Sequence, residues 1–170
     1  AVLVITHNAS ESAKIVNLSG NGFPDHYVTT VVGNGQSGNT DGGNDVARSN
    51  DPHYVASDSQ GNLYVLETDR IRKVTPSGTV STLAIFSNDI VAGLTIDSNG
   101  LIYFATNTQV KTLSPGGVVT VVAGIGVSSF ADGPALSTGF ANITGIAIDN
   151  SNNVYVMADA RVRKFDTTAG

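Results

Sequence analysis

The sequence predicts an all-β fold of short antiparallel strands, on the basis of three observations. Asn, Ser, Thr and Gly make up 67 of the 170 residues, and they favour turns or, for Thr, a pleated surface. Apolar residues occur in short alternating runs between turn-forming residues, which is the pattern of strands. Only 14% of the residues are charged, so charge-driven disorder is excluded and a chain of this length is expected to form one domain.

Charge and cysteine content exclude several classes of function. The net charge is −5 with nine Lys and Arg residues, which argues against binding to nucleic acid or to an anionic membrane. The chain has no cysteine, so disulfides, thiolate ligands and cysteine nucleophiles are absent. No apolar run approaches the ~18 residues of a membrane span. We therefore expect no nucleic-acid partner and no membrane insertion.

A repeated motif organises the chain. Residues 54–65, 93–104 and 145–156 align without gaps, in steps of 39 and 52 residues. A second motif follows each copy, at residues 70–74 (RIRKV), 109–113 (QVKTL) and 161–165 (RVRKF). A fourth segment then closes the first two units, at residues 79–84 (TVSTLA) and 118–124 (VVTVVAG). Each complete unit therefore reads as four short strands.

Four strands in roughly 40–45 residues is the repeat of a β-propeller blade. We expect residues 1–170 to form one propeller unit with about three and a half blades. The predicted blades are a partial one at 1–33, complete ones at 34–84 and 85–124, and a partial one at 125–170.

The two partial blades are predicted from shorter matches. Residues 27–33 (YVTTVVG) match the fourth strand of the other units, and residues 1–8 and 13–18 resemble a second and a third strand. After residues 161–166 no fourth strand follows. Long connectors precede the first and third repeats, with Asp41-Gly42 in one and Asp132-Gly133 placed 91 residues later in the other.

These motifs together resemble the NHL-repeat β-propeller family, in its secreted bacterial form. The likeness rests on SDSQGNLYV, IDSNGLIYF and IDNSNNVYV, on RIRKV and RVRKF, and on the DG-containing connectors. The resemblance implies a propeller of four-stranded antiparallel blades. It leaves activity open, because this fold serves unrelated functions and function must be argued from a site.

Histidines are the first candidates for chemistry. The resemblance extends to a peptide-amidating lyase branch in which histidines at the channel end of the blades hold zinc. Of His7, His26 and His53, only His53 lies at a matching place, and Ala92 and Thr144 stand at its equivalents. A zinc site needs about three convergent protein ligands. We therefore expect His53 to be a solvent-facing loop residue, its alternative role being a metal ligand, and we predict no catalytic residues and no cofactor.

The recurring aspartates are predicted to form turns. Asp that opens an Asp-Ser-x-Gly hairpin can accept hydrogen bonds from its own backbone, and one copy per blade is more than a single active site needs. The predicted turn residues are Asp58, Asp97, Asp149, Gly61 and Gly100.

The connector aspartates and the basic residues of the second motif are also expected to have structural roles. Connector residues Asp41, Asp45 and Asp132 are expected to be plain loop residues, with a hard cation as the alternative. The basic residues of the second motif are expected to cover the outer parts of the blades with their aliphatic stems while their charges reach water. These residues are Arg70, Arg72, Lys73, Arg161, Arg163 and Lys164.

Three functional hypotheses follow, and none of them assigns ligand-binding residues. The first is a non-catalytic extracellular or surface propeller that binds a protein or glycan. The alternatives are a structural subunit of a larger assembly and a propeller metalloenzyme resembling a peptide-amidating lyase or lactonase. Because the ring cannot close with these blades alone, we expect further blades in a longer chain or self-association to cover apolar strands such as residues 154–157.

Overall fold

The computed structural model describes residues 2–4, 15–17, 28–86 and 91–166. The chain divides into two compact units, residues 1–30 and 31–170. In the first unit, β1 (Val2–Val4) pairs antiparallel with β2 (Ile15–Asn17). His7 and His26 lie outside the described residues.

The second unit contains three antiparallel sheets whose strands pair in chain order. Blade 1 consists of β3 (Pro52–Ser57), β4 (Leu63–Glu67), β5 (Arg70–Val74) and β6 (Val80–Ile85). Blade 2 consists of β7 (Val91–Ile96), β8 (Ile102–Thr106), β9 (Val110–Leu113) and β10 (Val119–Ala123). Blade 3 consists of β11 (Ile143–Ile148), β12 (Asn153–Ala158) and β13 (Arg161–Asp166). The helical content of the described residues is one 3-10 turn, Ala135–Ser137.

The core lies between neighbouring sheets. Leu66 and Ile71 of blade 1 pack with Leu94 and Phe104 of blade 2 in one buried cluster. A second cluster joins the other face of blade 2 to blade 3, with members Tyr103, Ala105, Val110, Val154 and Val156. Blade 2 is therefore covered on both faces, which is how neighbouring propeller blades bury apolar surface.

The first strands of the three sheets lie side by side. Strand β7 contacts β3 on one side and β11 on the other. A Cβ atom built on Gly93 would lie 2.8 Å from Cγ2 of Ile146 and 3.2 Å from its backbone nitrogen. Glycine at this position thus permits the close approach of β7 and β11, and the sheets fan out from these inner strands.

Two details differ from the sequence expectations. Residues 28–33 form no strand; within the described residues they have no ladder partner, and an extended segment needs one to form a sheet. Val154 and Val156 are 0% exposed, because alternation along β12 turns them towards blade 2. Met157, in the same range, is 51% exposed as expected, and Val162 of β13 is 70% exposed.

No helix among the described residues is long and apolar enough to cross a membrane.

Candidate functional site

The aspartate turns are closed by a fixed set of hydrogen bonds. In blade 1, Oδ1 of Asp58 accepts from the backbone N–H groups of Gln60 and Asn62, at 2.9 Å each. Its Oδ2 accepts from Nδ2 of Asn62 at 2.7 Å and from the hydroxyl of Tyr64 at 3.1 Å. Gly61 completes the turn with φ of +80°, a conformation that favours glycine.

Blade 3 repeats this arrangement, and blade 2 has the same two backbone hydrogen bonds to its aspartate. Asp149 accepts from the N–H groups of Ser151 and Asn153, from Nδ2 of Asn153 and from the Tyr155 hydroxyl. In blade 2, Asp97 accepts from two backbone N–H groups, and Gly100 adopts φ of +83°. The three turns line a cavity of about 260 Å³, but each carboxylate is bonded within its own hairpin.

These hydrogen bonds keep two of the carboxyl groups ionised. The Asn62 side chain, with further bonds from its turn, lowers the pKa of Asp58 below 3.8. In blade 3, the side chain and backbone of Asn153 lower the pKa of Asp149 to about 2. A carboxylate stabilised in this way holds a turn in place rather than exchanging protons near neutral pH.

Acid is expected to weaken the protein partly through Asp149. Its folded-state pKa of about 2 lies below the ordinary 3.8. The carboxylate therefore adds stability that is complete above about pH 4 and is lost as the pH falls towards about 2. Urea unfolding of an Asp149→Asn variant should show a smaller loss of stability over this range than wild type. An Asn150→Ala control keeps the carboxylate and should behave as wild type; equal slopes for Asp149→Asn and wild type would contradict the prediction.

A buried arginine, Arg72, connects the outer half of blade 1 to the segment that precedes the blade. The Arg72 side chain is 1% exposed and Glu67 beside it is 0% exposed, with an Nη1–Oε1 distance of 3.4 Å. The guanidinium also donates to the carbonyls of Thr40 and Arg48. The expectation that its charge reaches water is wrong for Arg72, because these partners enclose the guanidinium.

The first connector, residues 34–51, holds the fourth strand of blade 1 through Asp41. Oδ1 of Asp41 accepts from Nη2 of Arg72 at 2.9 Å and from the Thr82 hydroxyl at 3.0 Å, and Oδ2 accepts from the Thr82 N–H at 2.9 Å. Burial raises the pKa of Asp41, but the bonds from Thr82 and Arg72 outweigh it and lower the pKa below 3.8. Next to it, Gly42 exchanges two backbone hydrogen bonds with Val80. Asp45, in the same connector, is exposed.

Blade 3 has an open recess of about 510 Å³ at the equivalent place. Arg163 donates to the carbonyls of Ala131 and Gly139 and pairs with Asp132 at 3.0 Å. Its guanidinium carbon lies 4.8 Å from the centre of the Phe140 ring. Asp132 is 95% exposed, and β13 has no strand on its outer edge among the described residues. The recess is lined by Ala123, Asp132, Gly133, Ala135, Thr138, Phe140 and residues 161–165.

His53 is exposed, as expected, but it lies on β3 and not in a loop. Its Nε2 is 3.3 Å from Oγ1 of Thr68 and 3.3 Å from Oδ2 of Asp51. Across the described part of the chain, no three His, Cys, Asp or Glu side chains are grouped so that they could hold a metal ion.

Comparison with known proteins defines the class of fold. No family model matches the sequence, and no curated protein matches it. Solved structures do match, and they are propeller-type proteins. The predicted fold class, an all-β propeller of four-stranded antiparallel blades, is confirmed.

Three of the similar structures illustrate this class. A Bacteroides thetaiotaomicron protein of unknown function is 21% identical, with TM-score 0.57 over 66% of this chain and 34% of that one. The extracellular domain of a putative one-component system from the same organism is 14% identical, with TM-score 0.53 over 67% and 15%. Virginiamycin B lyase from Staphylococcus aureus is 11% identical, with TM-score 0.50 over 95% and 47%. The matched region thus covers less than half of each of these proteins.

Proposed function

We propose that this chain is a non-catalytic extracellular or cell-surface propeller of the NHL-repeat kind, which binds a protein or glycan partner. The observation that carries the proposal is the recess beside β13. It combines the basic residues Arg161 and Lys164, the aromatic ring of Phe165 and the exposed carboxylate of Asp132. Polar groups with fixed geometry next to apolar surface are typical of binding sites.

The hydrogen bonds made by the aspartate carboxylates favour a non-catalytic function. The carboxylates of Asp41, Asp58 and Asp149 have lowered pKa values because they bind turns or a strand. A general acid or base that works near neutral pH needs the opposite shift for a carboxyl group. The alternative of a propeller metalloenzyme depends on His53; less than about one tenth of a metal ion per purified chain would remove it.

An extracellular location is supported by composition and by one of the similar structures. The sequence is rich in Asn, Ser and Thr and poor in charged residues, and one of the matched structures is itself an extracellular domain.

A second candidate function is a structural subunit of a larger assembly, such as a surface fibre, an extracellular polymer or a virion appendage. The exposure of Met157 (51%) and Val162 (70%) on blade 3 favours it, because exposed apolar patches promote association. Light scattering separates the two functions, since small monodisperse particles at micromolar concentration favour the binding module.

Selection from a random peptide library and a glycan array would test the proposed binding function. Ligands selected on the wild-type protein should lose about tenfold or more in affinity for an Ala135→Arg variant. Ala135 lines the recess, so the new side chain would fill it. Leu136→Arg is the matched control, because Leu136 is exposed, does not line the recess and should leave affinity within about twofold.

The proposal fails in either of two outcomes. One is that neither library yields a ligand that Ala135→Arg weakens. The other is measurable lactone or ester turnover that His53→Ala abolishes.

A further inference from the structure

We propose that Asn34 is a site of spontaneous chemical modification, at which the chain converts this asparagine through a cyclic succinimide into aspartate and isoaspartate. Asn34 is followed by Gly35 in the first connector. The inference goes beyond the proposed binding function and does not depend on it, because the reaction takes place within the chain and needs only water.

The reaction joins a backbone nitrogen to the side chain of the preceding residue. The nitrogen of Gly35 attacks Cγ of Asn34 and forms a C–N bond, while the side-chain nitrogen leaves as ammonia with the proton of the Gly35 N–H. Water then opens the succinimide. Opening at Cγ gives aspartate, and opening at the main-chain carbonyl carbon gives isoaspartate, whose backbone runs through the side chain. One water is consumed, one ammonia is released, and nothing is oxidised or reduced.

The attacking nitrogen is accessible in the structure. Asn34, Gly35 and Gln36 are all exposed. A Cβ atom built on Gly35 would meet no atom within 4 Å apart from its chain neighbours, and glycine has no side chain of its own to obstruct the attack. Within the described part of the chain, the N–H of Gly35 is not hydrogen-bonded. The ring can therefore close without displacing another part of the protein.

A hydrogen bond activates the carbonyl group that is attacked. Oδ1 of Asn34 accepts from the N–H of Gln36 at 3.1 Å. This oxygen gains negative charge when the nitrogen adds to Cγ, and a donor that already points at it stabilises the developing charge. The same bond holds the Asn34 side chain against the backbone that follows it.

The same dipeptide occurs at Asn99-Gly100, where the turn restrains it. Asn99 is also exposed. However, the N–H of Gly100 donates to the carbonyl of Asp97 at 3.1 Å, and the N–H of Asn99 donates to the Asp97 carboxylate at 2.9 Å. This turn must open before the nitrogen can attack, so the reaction is slowed in proportion to the small fraction of open molecules. We therefore expect Asn34 to react faster than Asn99 in the folded protein.

The second connector indicates that the backbone does not require asparagine at this position. Ile125 and Gly126 occupy the positions of Asn34 and Gly35, 91 residues further on. Gly35 and Gly126 both adopt φ of +81°. Because isoleucine supports the same glycine conformation, we expect substitutions of Asn34 to leave the protein folded.

The test compares the two sites within one molecule. The whole protein is incubated in mildly alkaline buffer, in which base helps to remove the proton from the attacking nitrogen, and each Asn-Gly is then assigned by fragmentation mass spectrometry. Conversion at Asn34 should be at least about tenfold faster than at Asn99, which corresponds to an open Asp97 turn in about one tenth of the molecules or fewer. Asn-Gly at 21–22 lies outside the described residues and is assigned separately. Each conversion adds one negative charge to a chain of net charge −5, so anion exchange separates the products.

Unfolding distinguishes a structural cause from an effect of local sequence. In guanidinium chloride neither site keeps its hydrogen bonds, so the rates at Asn34 and Asn99 should come within about threefold of each other. Incubation in water enriched in heavy oxygen should label the product, because hydrolysis of the succinimide takes its oxygen from the solvent.

Variants provide matched controls for the site. Asn34→Gln should give no product over the same period, because glutamine would have to close a larger ring. Asn99→Gln should leave the rate at Asn34 unchanged.

Three results would overturn the inference. The first is an unchanged Asn34 in the folded protein after a period in which the unfolded chain has converted fully. The second is conversion at Asn99 that equals or exceeds that at Asn34 in the folded protein. The third is a product that contains no oxygen from the solvent.

Discussion

Replacing Arg72 by methionine is expected to lower the free energy of unfolding by about 3–5 kcal/mol, the usual cost of removing one partner of a buried ion pair. Glu67 would remain at 0% exposure without its nearest cation, and one of its oxygens already lacks a hydrogen bond. The carbonyls of Thr40 and Arg48 would lose their donor as well. Removing both charges, in an Arg72→Met/Glu67→Leu double variant, should recover part of the loss.

The repeat supplies a matched control at Arg163. An Arg163→Met change removes the same type of side chain, but its partner Asp132 is 95% exposed and can be solvated by water. We expect a loss of about 1 kcal/mol, mainly from the two carbonyl hydrogen bonds. Urea unfolding followed by circular dichroism measures both variants. Equal losses at the two positions would show that burial of Glu67 does not determine the cost.

Replacing Phe104 by alanine is expected to cost about 3–5 kcal/mol, as for other large aromatic side chains removed from a core. Phe104 is 0% exposed and its ring lies 5.4 Å from that of Phe86 in a stacked arrangement. It belongs to the cluster that joins blade 1 to blade 2. The substitution would leave a cavity in this cluster. We therefore expect it to weaken the contact between blades 1 and 2 as well as the packing of β8.

Phe130→Ala is the control for this change. Phe130 is 57% exposed and contacts Arg161 through its ring, so its removal should cost about 1 kcal/mol or less. Thermal unfolding should place the midpoint of Phe104→Ala roughly 6–20 °C below wild type, at about 2–4 °C per kcal/mol for a chain of this size. A midpoint within about 2 °C of wild type would contradict the assignment of Phe104 to the core.

The strands could be predicted from sequence because the information is local and repeated. Each Asp58-type turn fixes where one strand ends and the next begins, and alternation then sets which side chains share a face. The same locality explains one error. Residues 28–33 match a fourth strand in pattern, but strand formation depends on a partner that pattern alone does not supply.

Burial of Arg72 was not predicted, because its partners are distant in sequence. Thr40 and Asp41 lie 32 and 31 residues away, and a basic run such as RIRKV is typical of a solvated surface. One signal could have identified it. Arginine occurs at this position in the two repeats with long connectors and Asp-Gly, whereas Lys111 stands in the repeat with a short one. The recess of blade 3 was missed for the same reason.

The contact between Asp41 and Thr82 also has an expected consequence for folding during synthesis. It joins residues 41 positions apart. At a synthesis rate of about 5–20 residues per second, Thr82 is therefore made roughly 2–8 s after Asp41. Blade 2 consists of hairpins between adjacent segments, which can form as the chain emerges. Blade 1 is complete only when its last strand, β6, bonds to the first connector, which is made earlier. Until then we expect Arg72 and Glu67 to be accessible to water.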